Sequence, residues 1–335
     1  MFDPDQPYQP PPGLSSPHLQ SILSSSPLRR HLVQKRGHEL LAAAREEIIE
    51  TPSGARLQGF RSSQQGAASR GLVILLHGWE GSVDSSYMLS TAAQLFARGF
   101  DIFRLNFRDH GDSHHLNEDL FHSCLIEEVT EAVQQVAADW QQGAVWLAGF
   151  SLGGNFALRV ALRAPAYNIE LQRVVAVCPV IRPANVLLAL EQGLPVYHYY
   201  FTRKWRRSLR RKQALFPHRY DFSEWFKINS LREQTRHLVD SHTEFPDVET
   251  YLEGYSVAGD KLAGLQVATT IITAVDDPVV PVSDFHSLTQ PPALELRIER
   301  AGGHCGFISD WRLHSWIDQY LIHRFENEAA ITSKT

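Results

Sequence analysis

The residues best suited to chemistry in this 335-residue chain are Gly149-Phe150-Ser151-Leu152-Gly153, a G-x-S-x-G pentapeptide. Before it, residues 144–148 form a short apolar run that reads as a buried strand. After it, residues 154–163 read as a helix with small and apolar residues on one side. A strand that turns straight into a helix holds its turn residue at strained φ/ψ, and only small neighbours let the two elements approach. Gly149, Gly153 and Gly154 meet that need. Ser151 is then presented on a sharp tip beside a helix N-terminus, where developing negative charge is favoured.

A serine hydroxyl is a poor nucleophile at neutral pH and needs a positioned base, itself oriented by a carboxylate. Behind an elbow of this kind the partners follow in the order serine, acid, histidine. The strand pattern at 267–274 is followed by two adjacent acids, Asp276 and Asp277. The strand pattern at 294–298 is followed by a loop in which glycines 302, 303 and 306 flank His304. His304 is the candidate base, and its titration predicts an acid limb in kcat/KM at roughly pH 6–7. Acyl transfer also needs backbone N–H groups waiting for the new oxyanion. Leu152, directly after the nucleophile, is one candidate donor. Trp79, in the Gly-containing loop 77–82, is the other, with His77 read as a strand-end residue that holds that loop.

Other polar clusters suit bland roles better. His110, His114, His115 and His122 with Glu118 and Asp119 match no standard metal-ligand spacing, so neither metal nor cofactor is expected. His114 and Asp119 form an H-x-x-x-x-D string, the mark of a catalytic pair in some acyltransferases, but far in sequence from the elbow. Cys305 is expected to face away from His304 and to be no nucleophile.

The elements that must position these residues follow an α/β rhythm. A hairpin at 46–50 and 56–60 comes first, then strands at 71–76, 101–107, 144–148 and 171–177 alternate with helices at 87–98 and 122–140. Such alternation implies a parallel sheet with helices on both faces. From 182 to 264 the rhythm breaks into an aromatic, Arg-rich stretch without strand patterns. It resumes with strand 267–274, helix 281–288, strand 294–298 and helix 310–325. An insertion between core strands on the elbow side reads as a lid over the site. Residues 1–45 read as an N-terminal arm, its first 30 residues, rich in proline and serine, being expected to wrap the body without regular structure. Within the insertion, Tyr197, Phe201, Trp205 and Leu209 form an apolar stripe on a basic helix at 197–212. It suits a cap helix docked on the core with its arginines solvated; the alternative is peripheral contact with an anionic membrane.

Composition narrows the class further. With 43% hydrophobic residues the chain can bury a large core as a single domain, and a net charge of −5 argues against nucleic acid as a partner. No apolar stretch is long enough for a transmembrane helix, and no secretion signal is visible. Three scattered cysteines fit a reducing compartment, so a cytoplasmic enzyme is expected.

In this order and spacing, HGWEGS, NFRDHGDS, GFSLGG, AVDDPVVP and GGHCGF resemble the α/β-hydrolase superfamily over nearly the whole chain. Pro17-His18-Leu19-Gln20 and the Gly-Gly-His-Cys-Gly-Phe ending narrow the resemblance to the YheT-like branch. It implies an α/β-hydrolase fold: a mostly parallel eight-stranded sheet with helices on both faces and a helical lid insertion. It also implies esterase-type activity with Ser151, Asp277 and His304 as the triad. Asp277 is selected by counting back from Pro281, as in relatives with an acid, a spacer and then Val/Ile-Pro. Asp276 is left as a turn carboxylate. The expected substrate is a small ester with an apolar acyl group. An acyltransferase using the same triad is the alternative reading, and a non-catalytic binding scaffold a third.

Overall fold

The computed structural model describes residues 3–66, 68–140 and 143–332. Three N-terminal helices, α1 (Pro17–Ser24), α2 (Pro27–Arg36) and α3 (His38–Ala42), lead into the hairpin β1 (Ala44–Glu50) and β2 (Arg56–Ser62). The alternating portion runs β3 (Leu72–Leu76), α4 (Ser86–Phe96), β4 (Asp101–Leu105), α5 (Ile126–Ala138), β5 (Val145–Phe150), α6 (Leu152–Arg163) and β6 (Arg173–Val177). Four helices follow before the next strand: α7 (Pro183–Gln192), α8 (Pro195–Leu215), α9 (Leu231–His242) and α10 (Val248–Gly254). The chain ends with β7 (Thr269–Ala274), the short α11 (Ser283–His286), β8 (Leu294–Glu299) and α12 (Trp316–Thr332).

The strands form one eight-stranded sheet in the order β1-β2-β4-β3-β5-β6-β7-β8. β1 pairs antiparallel with β2, and β2 with β4; every other pairing is parallel. Strands buried on both faces read as continuous apolar runs because alternate side chains enter different cores. In β3, Leu72, Ile74 and Leu76 join the core under α5 and α6, while Val73 and Leu75 join the one under α4 and α12. The order places β5 at the centre, so the β5–α6 turn lies over the middle of the sheet, at the carboxyl ends of its neighbours, where open α/β sheets place ligands.

The N-terminal arm differs from the sequence expectation. Residues 3–16 form no helix or strand, as expected, but the prolines at 17 and 27 start helices instead of preventing them. Pro17 and Pro27 occupy first-turn positions, and the Ser16 and Ser26 side chains accept from Leu19 and Arg29 N–H. Proline lacks an N–H that would have no partner there anyway, and serine is a good N-cap. Three expected helices begin later than their patterns. α5 begins at Ile126, and only Ser283–His286 is helical in 281–288. α12 begins at Trp316, because Asp310 holds a tight loop through the Arg312 and His314 N–H groups.

Candidate active site

Ser151 occupies the turn between β5 and α6 with φ 56° and ψ −118°, a strained conformation for a residue with a Cβ. Its neighbours permit it. A Cβ on Gly149 would lie 2.1 Å from Gly153 O, and one on Gly153 would lie 2.4 Å from the Leu76 and His77 carbonyls. No larger residue fits either place, so β5, α6 and the end of β3 approach at van der Waals limits. The Ser151 N–H is anchored to Val177 O at 2.9 Å.

The structure brings three of the expected residues into one chain of hydrogen bonds. Ser151 Oγ lies 2.9 Å from His304 Nε2, and His304 Nδ1 lies 2.8 Å from Asp277 Oδ2. With a carboxylate at Nδ1, the neutral ring carries its proton there and turns a lone pair toward the serine hydroxyl. Asp277 is fixed in turn, since its Oδ1 accepts from the Val279 and Val280 N–H groups at 2.8 and 2.9 Å. Burial opposes charge on the His304 ring. The Asp277 carboxylate, with Cys305 acting in the same sense, outweighs it and pushes the imidazole up to about 9. This lies above the pH 6–7 that an ordinary histidine suggests.

Asp276 does something else. Its Oδ1 accepts from Gly303 N–H at 2.9 Å, so it shapes the loop that carries the histidine. A second support escaped the sequence reading. His304 N–H donates to Ser21 Oγ at 2.8 Å, and Ser21 Oγ donates to Pro17 O at 2.7 Å. Gln20 is fully buried, accepts from Ile308 N–H at 2.6 Å and donates to Leu14 O at 2.7 Å. The Pro-His-Leu-Gln-Ser stretch thus braces the histidine loop from below. The resemblance marked four of its residues, but no spacing rule links a serine at 21 to a histidine at 304.

The loop after β3 curls over Ser151. His77 is buried and accepts at Nε2 from Phe107 N–H (3.2 Å), so Nδ1 carries the proton donated to Gly78 O (2.8 Å). Burial holds its pKa well below the ordinary value. Gly78 N–H donates to Tyr87 OH, and Glu80 N–H to His110 Nε2. Between them, the Trp79 N–H has no protein acceptor among the described residues. Leu152 is the first residue of α6, so its N–H has no intrahelical acceptor.

Cys305 corrects an expectation. A φ of 52° turns the chain back at this residue. Its Sγ, Cys178 Sγ and a His304 ring nitrogen lie within 4.8 Å of one another. The thiol therefore lies near the imidazole instead of facing away. Cys305 N–H donates to Cys178 Sγ.

The histidines between 110 and 122 are dispersed among other partners. His110 Nδ1 donates to Arg108 O at 2.7 Å, and His114 Nε2 meets Ser208 Oγ at 2.9 Å. The His122 ring packs against Phe245 and Tyr251. Asp119 pairs with Arg219, so the H-x-x-x-x-D string does not close on itself.

α8 turns its apolar stripe inward. Tyr197 and Leu209 are buried, Phe201 stacks on Trp79 at 5.1 Å between centroids, and Trp205 meets Trp79 and Trp225 edge-on. Not all its cations are solvated, as the cap-helix reading expects. Lys212 is fully buried, donating to Asp109 Oδ1 (2.7 Å) and to the Asn117 and Asp119 carbonyls (2.7 and 3.0 Å). Asp109 belongs to the NFRDHGDS motif, so this pair ties the insertion to the sheet.

These features define an α/β-hydrolase. A sequence model of the alpha/beta hydrolase fold family matches residues 71–310, and the chain belongs to that family. Within it, the chain is a YheT-like, esterase-like member. It is 24% identical over 259 residues to "Putative esterase YheT" of Escherichia coli K12, covering 74% of each chain. It is 23% identical over 313 residues to "Putative esterase slr0264" of Synechocystis, covering 82% of this chain and 84% of that one. The fold resembles that of the Pyrococcus furiosus esterase Pf2001, with a TM-score of 0.54 at 16% identity over 86% of this chain and 92% of that one. Among the described residues no helix is long and apolar enough to cross a membrane.

Proposed function

We propose that this hydrolase cleaves carboxylic esters through an acyl-serine intermediate, with Ser151 as nucleophile, His304 as base and Asp277 as orienting acid. The observation that carries this reading is the unbroken hydrogen-bond chain from Ser151 Oγ through both ring nitrogens of His304 to Asp277. In the first half-reaction His304 Nε2 takes the hydroxyl proton as Oγ bonds to the ester carbon. The imidazolium is stabilised by Asp277, and the new oxyanion accepts from the Leu152 and Trp79 N–H groups. Collapse breaks the bond to the alcohol, which leaves with the proton from Nε2. Water, deprotonated by the same nitrogen, then releases the acid.

Residues 182–264 act in this reading as a lid that selects substrate. The space beside Ser151 is lined on that side by Leu187, Leu190, Phe201, Trp205 and Val239, which suits an apolar acyl chain. The decisive experiment pairs fluorophosphonate labelling with turnover of p-nitrophenyl esters. Wild type should label at Ser151 and turn over. Folded Ser151→Ala should do neither, with kcat down by about 10³-fold or more. Retention of most activity by that variant refutes the assignment.

A further inference from the structure

The space around Ser151 has two lobes of opposite character. The apolar one lies under the insertion. The second runs between the N-terminal arm and α8, and Arg30, Tyr87, Lys204, Arg207 and Arg211 line it. Ser151, Trp79 and Phe201 border both lobes, but of the two only the second includes His304. In ester cleavage the leaving oxygen must receive its proton from His304, so the alcohol part belongs on the histidine side and the acyl chain in the other lobe.

The charges of that second lobe are unequal once the ion pairs made by its lining residues are removed. Arg211 is bound to Asp112 at 2.7 Å, and Asp109 is consumed by Lys212. Asp84 lies 3.7 Å from Arg104. Burial pushes the Glu80 carboxyl up to about 8 against the pull of Lys204, which weakens its negative charge in the lobe. What remains is cationic. Arg30 and Arg207 are exposed and form no close ion pair among the described residues, though Arg207 is near enough to Asp112 to help lower its carboxyl pKa. Among the described residues Lys204 Nζ donates to Glu80 O alone, at 2.9 Å, and lies over the Tyr200 ring. The Arg30 and Arg207 guanidiniums come from separate elements that line the lobe, α2 and α8, and the N-terminus of α4 adds Ser85 and Ser86 to its lining. Guanidinium groups and a helix N-terminus both favour phosphate.

We infer that the lobe beside His304 is an anion subsite for the alcohol part of the substrate, which is an ester joining an apolar acid to a phosphate-bearing alcohol. The inference rests on the ester-hydrolase reading and extends it from the acyl side to the leaving group. Hydrolysis then yields the free carboxylate and the phosphorylated alcohol, protonated on its released oxygen by His304.

The test compares 1-decanoylglycerol 3-phosphate with 1-decanoylglycerol, both below their micellar concentrations, in wild type, Arg30→Gln, Arg207→Gln and the double variant. Wild type should favour the phosphate ester in kcat/KM by about tenfold, the scale of a charged hydrogen bond, and less so as salt rises. The double variant should erase that preference through KM while cleaving 1-decanoylglycerol within about twofold of wild type. Equal cleavage of both esters by wild type, or an equal loss on both in the double variant, overturns the subsite but leaves the ester-hydrolase reading intact. A preference seen only with substrate embedded in vesicles overturns it in favour of a membrane-facing role for these arginines. Cleavage of neither ester, nor of p-nitrophenyl decanoate, overturns both readings together.

Discussion

Replacing Asp277 by asparagine should cost about 10⁴-fold in kcat/KM, about 5.5 kcal/mol of transition-state stabilisation. The two oxygens of that side chain set the size of the loss. Oδ1 accepts from the Val279 and Val280 N–H groups, so in Asp277→Asn the amide oxygen must stay there. The amide NH₂ is then directed at His304 Nδ1, where the carboxylate Oδ2 stood at 2.8 Å. Two donors cannot share that contact, so the ring proton moves to Nε2 and the lone pair facing Ser151 is lost. The charge that stabilises the imidazolium is lost as well. Asp276→Asn is the matched control, because the hydrogen bond from Gly303 N–H is accepted equally well by an amide oxygen. Its loss should stay within about tenfold, the worth of one weakened hydrogen bond. Initial rates on p-nitrophenyl butyrate, with circular dichroism and thermal melts to verify folding, measure both. If Asp276→Asn proves the more damaging, or if folded Asp277→Asn retains a tenth of wild-type activity, the orienting role assigned to Asp277 is wrong.

The remaining predictions concern pH, the 182–264 insertion and the buried ion pair. Only neutral His304 accepts the serine proton, and its pKa is raised, so kcat/KM should climb with pH through a limb above 6.5 and toward about 9. Because burial alone lowers that pKa, the residual activity of Asp277→Asn should show a limb displaced to lower pH; an unchanged limb in the variant means that the Asp277 carboxylate is not what raises it. Phe201→Ala or Trp205→Ala should shift preference among p-nitrophenyl esters of graded acyl length while Ser151 still reacts with fluorophosphonate. An unaltered length profile in both places the acyl chain elsewhere. Lys212→Ala leaves Asp109 buried without its cation, and urea denaturation should register a loss of about 3–5 kcal/mol; a loss under about 1 kcal/mol refutes a structural role for that pair.

Much of this protein is legible in one dimension because its determinants are local. The Ser151 elbow needs small residues at 149 and 153 within a strand-to-helix turn, and those letters are visible in sequence. Apolar runs such as 72–76 and 145–150 betray strands buried on both faces, and their alternation with helices implies the parallel sheet. His304 and the neighbouring acids could be proposed because strand ends are where this architecture presents side chains. Local rules also misled at the arm, where prolines suggested an irregular chain although Ser16-Pro17 and Ser26-Pro27 are good helix starts.

What remained hidden depends on contacts between residues far apart in the chain. Composition and spacing say nothing of Ser21 holding the His304 backbone across 283 positions, or of Lys212 reaching Asp109 across 103. The choice between two adjacent carboxylates is likewise three-dimensional: Asp277 faces the imidazole and Asp276 faces Gly303, a difference of direction that adjacent letters cannot express. The fate of a basic helix follows the same logic. Its amphipathic pattern at 197–212 was plain in sequence, but whether the stripe met lipid or protein was decided only when Trp79 and Trp225 packed against it. Periodicity specifies that a face must be covered. Only the tertiary fold supplies what covers it, because burial is a property of the neighbours a segment acquires and not of the segment itself.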